Sequence, residues 1–278
     1  MPTSPAQRWA DALAAWAIPD EILAQAPEDP WVHPPAMFKA NPASDPTDTP
    51  SHRMARAALR ESGEASSPDA ADASTRQGSV LDVGVGGGRS CLPLVPLATE
   101  LAGVDEQAAM LELFAAACGD AGVPCHTYLG RWPDVAANVP VADVVACHHV
   151  AYNVAAIEPF LRALTDHARR LVVVELPAEH PTAWMNPLWE RFWGLARPSE
   201  PSAGLFVEVV RSLGWLPDVA WSERAPRNAV ALHSPDFVAF CRRRLCLPAD
   251  RDPEVAAALA DIATPAVHLV AAVSWHPT

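Results

Sequence analysis

The segment Val80–Ser90, VLDVGVGGGRS, constrains the fold of this chain more than any other feature. Its apolar start, Val80–Val83, predicts a short buried strand, and the glycine-rich run Gly84–Gly88 follows at once. Glycine tolerates the backbone angles of a sharp turn, and because it has no Cβ the chain can approach a ligand closely. The segment therefore predicts a strand, a tight loop and a helix whose N-terminus faces a nucleotide-like cofactor.

The residues around these glycines distinguish two classes of cofactor. The NAD fingerprint GxGxxG requires a glycine at its sixth position, where the chain has Arg89 if the motif starts at Gly84. A start at Gly86 puts Cys91 at that position. Asp82, at the strand end, would repel a pyrophosphate but suits a cofactor with a cationic amino group. An NAD-dependent oxidoreductase is therefore the weaker alternative.

The segment Leu81–Gly88 resembles the first motif of class I S-adenosylmethionine-dependent methyltransferases, hh(D/E)hGxGxG, and matches it at every position. The resemblance covers about residues 79–224 and the last strand, and the chain is similar to uncharacterised members from high-GC bacteria. It implies a Rossmann-like fold, S-adenosyl-L-methionine as cofactor, and methyl transfer by in-line displacement. The cofactor-binding residues that this motif implies are Asp82, Gly84, Val85, Gly86 and Gly88.

A second acidic residue ends the next predicted strand. Asp105 follows the run Leu101–Val104 and lies 17 residues after Gly88. A carboxylate at this strand end holds ribose hydroxyls in dinucleotide-binding and methyltransferase folds. The alternative is that Asp105 only caps the helix that begins near Gln107. Glu106 is the second candidate for the ribose.

The loop after the third predicted strand is where the family holds adenine. Arg131 and Trp132 are the cofactor-binding candidates in this loop, and Asp134 is a candidate acceptor for the adenine amino group. Trp132 would cover the face of the adenine ring. The alternative, left open by the sequence, is that Trp132 packs into the core.

The loop after the fourth predicted strand carries the candidate catalytic residues. His149, His148 and Tyr152 provide groups that can accept or orient a proton, and His148 is also expected to border the cofactor. Each has a structural alternative: one histidine of an adjacent pair commonly packs inward, and Tyr152 can anchor the segment that follows. A base is needed only if the acceptor group must lose a proton.

The sequence favours a small-molecule acceptor. The Asn/Asp-Pro-Pro-Tyr motif of DNA and protein-glutamine methyltransferases is missing from the loop after the fourth strand. The net charge of −13, with Lys39 as the only lysine, disfavours a nucleic-acid partner and hence an RNA methyltransferase. A further alternative is a methyltransferase fold that has lost catalysis and serves as a partner subunit.

The pattern along the chain predicts an α/β fold with a mostly parallel sheet and an antiparallel last strand. The predicted strands are Val80–Val83, Leu101–Val104, Cys125–Leu129, Asp143–Ala146, Leu171–Glu175, Val219–Arg224 and Val267–Trp275. We expect a helical N-terminal cap over 1–62, a flexible linker over 63–78 and the methyltransferase domain over 79–278. Substrate-side additions are expected at about 178–202 and 225–265, the second being a helical insertion before the last strand.

The aromatic segment Trp184–Trp193 is expected to pack against an N-terminal helix whose apolar stripe runs from Trp9 to Ile18. The alternative is an aromatic lid over the acceptor, with Glu179 and His180 facing the same space. The N-terminal arginines Arg53, Arg56 and Arg60 are candidates to pair with the carboxylate of the cofactor.

Composition limits the class of protein further. No secretory signal is visible, and no apolar run approaches the roughly 20 residues of a membrane span. The six cysteines form no CxxC pair, so we expect reduced thiols, no metal site and a cytoplasmic protein. A homodimer is a further expectation.

Overall fold

The fold is organised around one seven-stranded β-sheet in a computed structural model that describes residues 3–31, 46–64, 78–224, 234–262 and 267–277. The strands are β1 Ser79–Val83, β2 Glu100–Asp105, β3 Cys125–Leu129, β4 Ala142–His148, β5 Ala168–Pro177, β6 Asp218–Arg224 and β7 His268–Trp275. Their order is β3-β2-β1-β4-β5-β7-β6, and β7 runs antiparallel to both of its neighbours, β5 and β6, while the pairs among β1 to β5 are parallel. The predicted Rossmann-like α/β fold is therefore confirmed.

Nine α-helices lie within the described residues. They are α1 Pro5–Ala14, α2 Asp20–Leu23, α3 Pro50–Glu64, α4 Ala108–Ala121, α5 Ile157–Asp166, α6 Asn186–Trp193, α7 Ala203–Ser212, α8 Pro235–Arg244 and α9 Asp252–Asp261. Because α8 and α9 come between β6 and β7 in the chain, the predicted helical insertion before the last strand is confirmed.

Two helix boundaries differ from the prediction. From the amphipathic pattern of 156–169 we predict a helix over those residues, but helix α5 ends at Asp166 because β5 begins two residues later. The apolar stripe expected to reach Ile18 is interrupted, since α1 ends at Ala14 and the amide of Trp16 bonds back only three residues, to Leu13. Trp16 and Ile18 therefore pack outside the helix that carries Trp9.

Helices cover both faces of the sheet, which explains why its central strands are apolar almost throughout. On one face, Leu81 of β1 packs in a layer with Trp9 of α1 and Phe206 of α7. On the other face, Val80 packs in a layer with Phe114 of α4 and with α3. Side chains alternate between these layers along each strand, so every second residue of β4 and β5 lies under α3.

The inserted helices, together with α2 and α6, form a third apolar core. Arg197 joins this core to the N-terminal region, because its guanidinium lies 4.9 Å from the ring of Trp189 and 5.3 Å from that of Trp16. The indole of Trp193 donates to the carbonyl of Leu245 at 2.7 Å. These contacts favour core packing of the aromatic segment over an aromatic lid, but its partners are α2, α8 and α9 rather than the expected helix that carries Trp9.

The glycine-rich segment leads out of β1 differently from the prediction. The expected helix is replaced by turns and one 3₁₀ turn, Leu92–Leu94. Pro93 and Pro96 explain the difference, because proline has no amide hydrogen to donate within a helix. The helix dipole expected at the loop is therefore not supplied by the segment that follows it.

The N-terminal region contributes directly to the helix layers of the sheet. Helix α3 lies against β4 and β5, and it extends to Glu64, into the expected linker. Residues 65–77, which make up most of that linker, lie outside the described residues, so the domain boundaries stay predictions. Within the described ranges, no helix is both long enough and apolar enough to cross a membrane.

Candidate functional site

The loop after β1 needs glycine for two separate reasons. Gly84 and Gly86 have φ angles of +74° and +50°, in the left-handed region that disfavours a side chain. A Cβ on Gly84 would also lie only 2.3 Å from Cγ2 of Val150, in the loop after β4. The loops after β1 and β4 therefore contact each other through a site that only glycine fits.

The amides of this loop bond within the protein, which argues against a phosphate cradle. The amides of Gly84 and Val85 both donate to the carbonyl of Val104, at 2.8 and 3.0 Å. The amide of Gly88 donates to the carbonyl of Val85 at 2.8 Å. A pyrophosphate cradle would direct these amides toward the ligand, so the geometry agrees with the exclusion of an NAD fingerprint.

Asp105 joins the glycine loop to the end of β2. One carboxylate oxygen accepts the amide of Gly86 and the other accepts the amide of Gln107, each at 3.0 Å. The two bonds fix the orientation of the carboxylate, whose remaining lone pairs are free to accept from ribose hydroxyls. Glu106 is exposed instead and lies 4.0 Å from exposed Arg131.

Asp82 lies beneath the loop with no exposed surface. Its Oδ2 accepts the hydroxyl of Ser90, whereas its Oδ1 accepts no hydrogen bond from the described residues, although the thiol of Cys91 lies beside the carboxylate. Burial raises the pKa of Asp82 to about 6, and the charge of Asp105 adds to the shift. An incompletely bonded buried carboxylate fits a cofactor with a cationic amino group, as S-adenosylmethionine has.

Trp132 lies in the apolar core, 6% exposed, and makes an edge-to-face contact with His167 whose ring centroids are 4.8 Å apart. This position favours the packing alternative over contact with adenine. Val85 is also buried, while Arg131 and Asp134, which share the loop with Trp132, lie nearer the surface.

Three neighbouring strands each place one polar side chain on the α3 face of the sheet. Asp82 of β1 pairs in register with Ala146 of β4, and His148 of β4 pairs with Glu175 of β5. The apolar neighbours of these residues along the strands, including Val173, pack in the layer of α3. A row of polar groups therefore crosses the carboxyl ends of β1, β4 and β5 under the first turn of α3.

Glu175 is the centre of this row and is 3% exposed. Its carboxylate accepts the hydroxyl of Ser51 from α3 and the guanidinium of Arg224 from β6, the latter at 2.8 Å. Its Oε1 lies 3.3 Å from Nε2 of His149. Burial alone would raise the pKa of Glu175, but His148, His149 and Arg224 hold that pKa well below its ordinary value. The carboxylate is therefore ionised and fully surrounded by donors.

The two candidate histidines have opposite environments. Burial lowers the pKa of His148 to about 3, so its imidazole is neutral at neutral pH and a poor proton acceptor. The side chain of His149 is 49% exposed, and its backbone lies in the left-handed region at φ +61°. Its amide donates to the carbonyl of Glu175 at 2.7 Å, so both backbone and ring are held by Glu175. Of the two, His149 has the geometry of a base.

Tyr152 has the position of a structural residue. Its hydroxyl donates to the carbonyl of Pro177 at 2.8 Å, and its ring stacks on Trp9 with centroids 5.4 Å apart. Burial raises the pKa of Tyr152 well above its ordinary value, so the phenol is not a base at neutral pH. His180 is stacked on Trp16 at 3.9 Å, while Glu179 is exposed.

The arginines of α3 have partners of their own. Arg53 and Arg56 both pair with Asp48, and Arg56 also donates to the carbonyl of Pro93 at 2.8 Å. Arg60 is exposed. These positions do not select an arginine for the carboxylate of the cofactor.

Sequence reasoning missed the residues that surround His149. Glu175 ends the apolar run LVVVE within β5, and Arg224 ends β6, so each carried the signal of a charge that closes a run or a strand. Ser51 and His52 carried no such signal, because their part in the site depends on where α3 docks. His52 reaches the glycine loop, with Nε2 3.3 Å from the carbonyl of Arg89.

No arrangement of three or more His, Cys, Asp or Glu side chains that could hold a metal ion occurs among the described residues. All six cysteines are free thiols, and five of them are buried.

Comparison with known proteins links these features to one class of enzyme. Residues 81–171 match the family model described as a methyltransferase domain. No curated protein matches the chain.

Among solved structures, the YcgJ protein from Bacillus subtilis is 14% identical over 81% of this chain and 98% of that chain, with a TM-score of 0.47. Magnesium protoporphyrin IX methyltransferase from Synechocystis PCC 6803, solved with bound S-adenosylhomocysteine, is 13% identical over 70% and 72%, with a TM-score of 0.43. Precorrin-6y C5,15-methyltransferase from Geobacter metallireducens is 9% identical over 89% and 100%, with a TM-score of 0.44. At these identities the structures say nothing about the acceptor of this chain.

The matched domain begins at Leu81 in the glycine segment and ends at Leu171 in β5, so it spans both the cofactor loop and the candidate histidines. Residues 81–171 are thus similar to a methyltransferase domain, and they lie within a seven-stranded sheet of the order β3-β2-β1-β4-β5-β7-β6.

Proposed function

We propose that this protein transfers the methyl group of S-adenosylmethionine to a small-molecule acceptor by in-line displacement. The observation that carries the proposal is the pairing of a glycine loop with two differently placed carboxylates. Asp105 is fixed by backbone amides at the loop surface, and Asp82 is buried beneath it with one oxygen that lacks a hydrogen bond from the described residues.

In this proposal each residue has a distinct role toward the cofactor. Asp105 accepts from the ribose hydroxyls, and Asp82 balances the amino group of the methionine moiety. Gly84, Gly86 and the backbone at Val85 let the cofactor approach the loop closely. When bound, S-adenosylmethionine supplies an electrophilic methyl group, and the chain contributes alignment of the acceptor and exclusion of water.

The charge of the protein supports a small acceptor. A net charge of −13 opposes binding to the phosphate backbone that an RNA methyltransferase needs. A catalytically silent partner subunit is the alternative from another class. The contact between half-exposed His149 and buried Glu175 disfavours it, since a purely structural subunit has no use for a histidine held in a strained backbone conformation. The cytoplasmic location and the homodimer stay predictions.

Calorimetric titration with S-adenosylhomocysteine tests the cofactor assignment. We expect Asp105→Ala to weaken binding by about 10- to 100-fold, because a charge-assisted hydrogen bond contributes roughly 1.5–3 kcal/mol. Gly86→Val is expected to abolish binding, since a β-branched residue strongly disfavours φ +50°. Glu106→Ala is the matched control and should change affinity less than about threefold, because Glu106 is exposed and its ion pair is weak.

Two outcomes would contradict this assignment. Binding of NADH without binding of S-adenosylhomocysteine would return the protein to the oxidoreductase class. Unchanged affinity in both Asp105→Ala and Gly86→Val would mean that the cofactor binds elsewhere. If the protein binds S-adenosylhomocysteine tightly but labels no compound in a low-molecular-weight extract supplied with labelled S-adenosylmethionine, the result would favour the silent subunit.

A further inference from the structure

We propose that His149 is a general base positioned by Glu175, and that the acceptor is therefore a hydroxyl compound, which must lose a proton as it is methylated. The inference rests on the proposed function, because it concerns the acceptor side of the same site. It begins from a contact that the cofactor does not require: Nε2 of a half-exposed histidine 3.3 Å from a buried, ionised carboxylate.

The contact with Glu175 determines which nitrogen of His149 is available. When Nε2 carries the hydrogen and donates to Oε1 of Glu175, Nδ1 is left with a free lone pair. The ring is 49% exposed, so Nδ1 can reach a bound molecule, whereas His148 is less exposed and burial lowers its pKa to about 3. A carboxylate behind the ring also stabilises the imidazolium that forms when the base takes a proton.

Glu175 is built to keep this role whatever the state of His149. Arg224 and Ser51 hold its Oε2, while Oε1 faces the histidine ring. The carboxylate therefore stays ionised and fixed in place when His149 is neutral. Glu175 does not reach the acceptor, so it is a positioning residue.

The backbone of His149 supports a functional reading of the pair. Its φ of +61° lies in the left-handed region, which costs a residue with a Cβ about 1–2 kcal/mol. Glycine would fit the same turn without that cost. Retaining a histidine in this conformation aims the imidazole from the end of β4 across to Glu175 at the end of β5.

The reaction balances with groups that the proposal names. The acceptor oxygen uses a lone pair to form the new bond to carbon, the carbon–sulfur bond breaks with its electron pair on sulfur, and the hydroxyl proton moves to Nδ1 of His149. The proton then leaves to solvent from the exposed ring. A thiol gains less from such a base, because a thiol with pKa about 8.5 is already partly ionised near neutral pH and its thiolate is the nucleophile.

Charged and titratable groups face His149 from each packed element. They are Glu175 from β5, His148 from β4, Arg224 from β6 and His268 from β7, while His52 from α3 lies against His148. Burial lowers the pKa of both His148 and His52, so these two rings stay neutral near pH 7. The ionised group nearest the His149–Glu175 pair is thus Arg224, which lies 2.8 Å from Glu175.

The test uses labelled S-adenosylmethionine and matched pairs of small acceptors that differ only in a hydroxyl or a thiol, such as phenol and thiophenol, or benzyl alcohol and benzyl mercaptan. We expect wild-type protein to label the hydroxyl members. His149→Gln should lower hydroxyl methylation by about 10²- to 10⁴-fold, the usual contribution of a general base, and thiol methylation by less than about threefold. Glu175→Gln should show the same selectivity with a smaller loss, and Glu175→Asp should recover part of it.

A matched control is available on the opposite side of the sheet. His126 forms the same kind of ion pair, 3.3 Å from Glu100, with its side chain 59% exposed. His126→Gln should change neither acceptor class. Nitrogen NMR of the labelled histidines supplies a readout besides turnover, since His149 is expected as the tautomer protonated on Nε2.

Titration with S-adenosylhomocysteine separates failure of this inference from failure of the proposed function. If wild-type protein does not bind it, the proposed function fails. If wild-type protein binds it, then any of three results overturns the inference alone: no hydroxyl compound is labelled, His149→Gln lowers both acceptor classes equally or neither, or His149 carries its proton on Nδ1. If Glu175→Gln does not fold, the inference is decided by the His149→Gln comparison and by the tautomer of His149.

Discussion

The contact between Gly84 and Val150 gives a prediction whose magnitude follows from the structure. Gly84→Ala adds a Cβ that would lie 2.3 Å from Cγ2 of Val150, about 1.1 Å short of the 3.4 Å at which ordinary contact begins. It also forces a side chain into φ +74°. The backbone contributes a loss of about 1–2 kcal/mol, and overpacking contributes about 1–3 kcal/mol more. We expect Gly84→Ala to lower the free energy of unfolding by about 2–5 kcal/mol.

Gly122 is a matched control because it separates these two contributions. It ends α4 at φ +66°, and a Cβ there would meet nothing within 4 Å. Gly122→Ala should therefore lose only the backbone contribution, about 1–2 kcal/mol. In a double-mutant cycle, Val150→Ala should offset part of the loss at Gly84 and none of the loss at Gly122.

Urea unfolding followed by circular dichroism measures the stabilities, and titration with S-adenosylhomocysteine measures the consequence for the cofactor. Gly84→Ala should weaken binding at least about tenfold. A tenfold loss corresponds to about 1.4 kcal/mol of binding free energy, and we expect displacement of the loop to cost at least that much. Gly122→Ala should leave affinity unchanged. Equal stability losses at the two glycines, or no coupling to Val150, would refute the contact between the loops.

The remaining predictions concern buried charge and backbone strain. Because the pKa of Asp82 is raised from 3.8 to about 6, folding favours its protonated form, and this contribution is present below pH 4 and lost as the pH rises through 6. Asp82→Asn should therefore raise the free energy of unfolding by up to about 3 kcal/mol at pH 8 and leave it unchanged at pH 3.5. The same substitution should weaken the binding of S-adenosylhomocysteine. An equal effect on unfolding at both pH values would contradict this prediction. His149→Gly should leave thermal stability unchanged or higher, because relief of about 1 kcal/mol of backbone strain offsets the lost contact with Glu175. His126→Gly, in a regular strand, should lower the free energy of unfolding by about 1 kcal/mol. Equal losses in the two variants would argue against strain at His149.

The sheet was predictable because its strands are apolar runs that end in recognisable residues. The glycines after β1 and the acid at the end of β2 are local signals, because the turn that follows each strand accepts only certain types of residue. Leu171–Glu175 predicted the centre of β5, although the strand extends from Ala168 to Pro177. The ends of β5 lie beyond the predicted ones because backbone pairing with β4 and β7 continues past the apolar run.

The polar row was not predictable in the same way. His148 and His149 were visible as residues at a strand end, but their different environments depend on the side of the sheet that each faces. Ser51 was invisible, because its contact with Glu175 spans 124 positions in the chain and exists only through the docking of α3. The helix expected after the glycine loop was wrong for a local reason, the prolines at 93 and 96.

Asp82 and Glu175 lie on the same face of the sheet, two strands apart, and both are buried, yet their pKa values shift in opposite directions. Burial acts on both, so the difference lies in their partners. Glu175 has Arg224, Ser51 and His149, and its charge is balanced within the protein. The described residues give Asp82 one hydroxyl at Oδ2 and no cation, so its charge calls for a positive group from outside the chain. The two carboxylates thus have different roles in the proposed site. Asp82 lies where a cationic cofactor would balance its charge, and Glu175 lies where it positions the proposed base, His149.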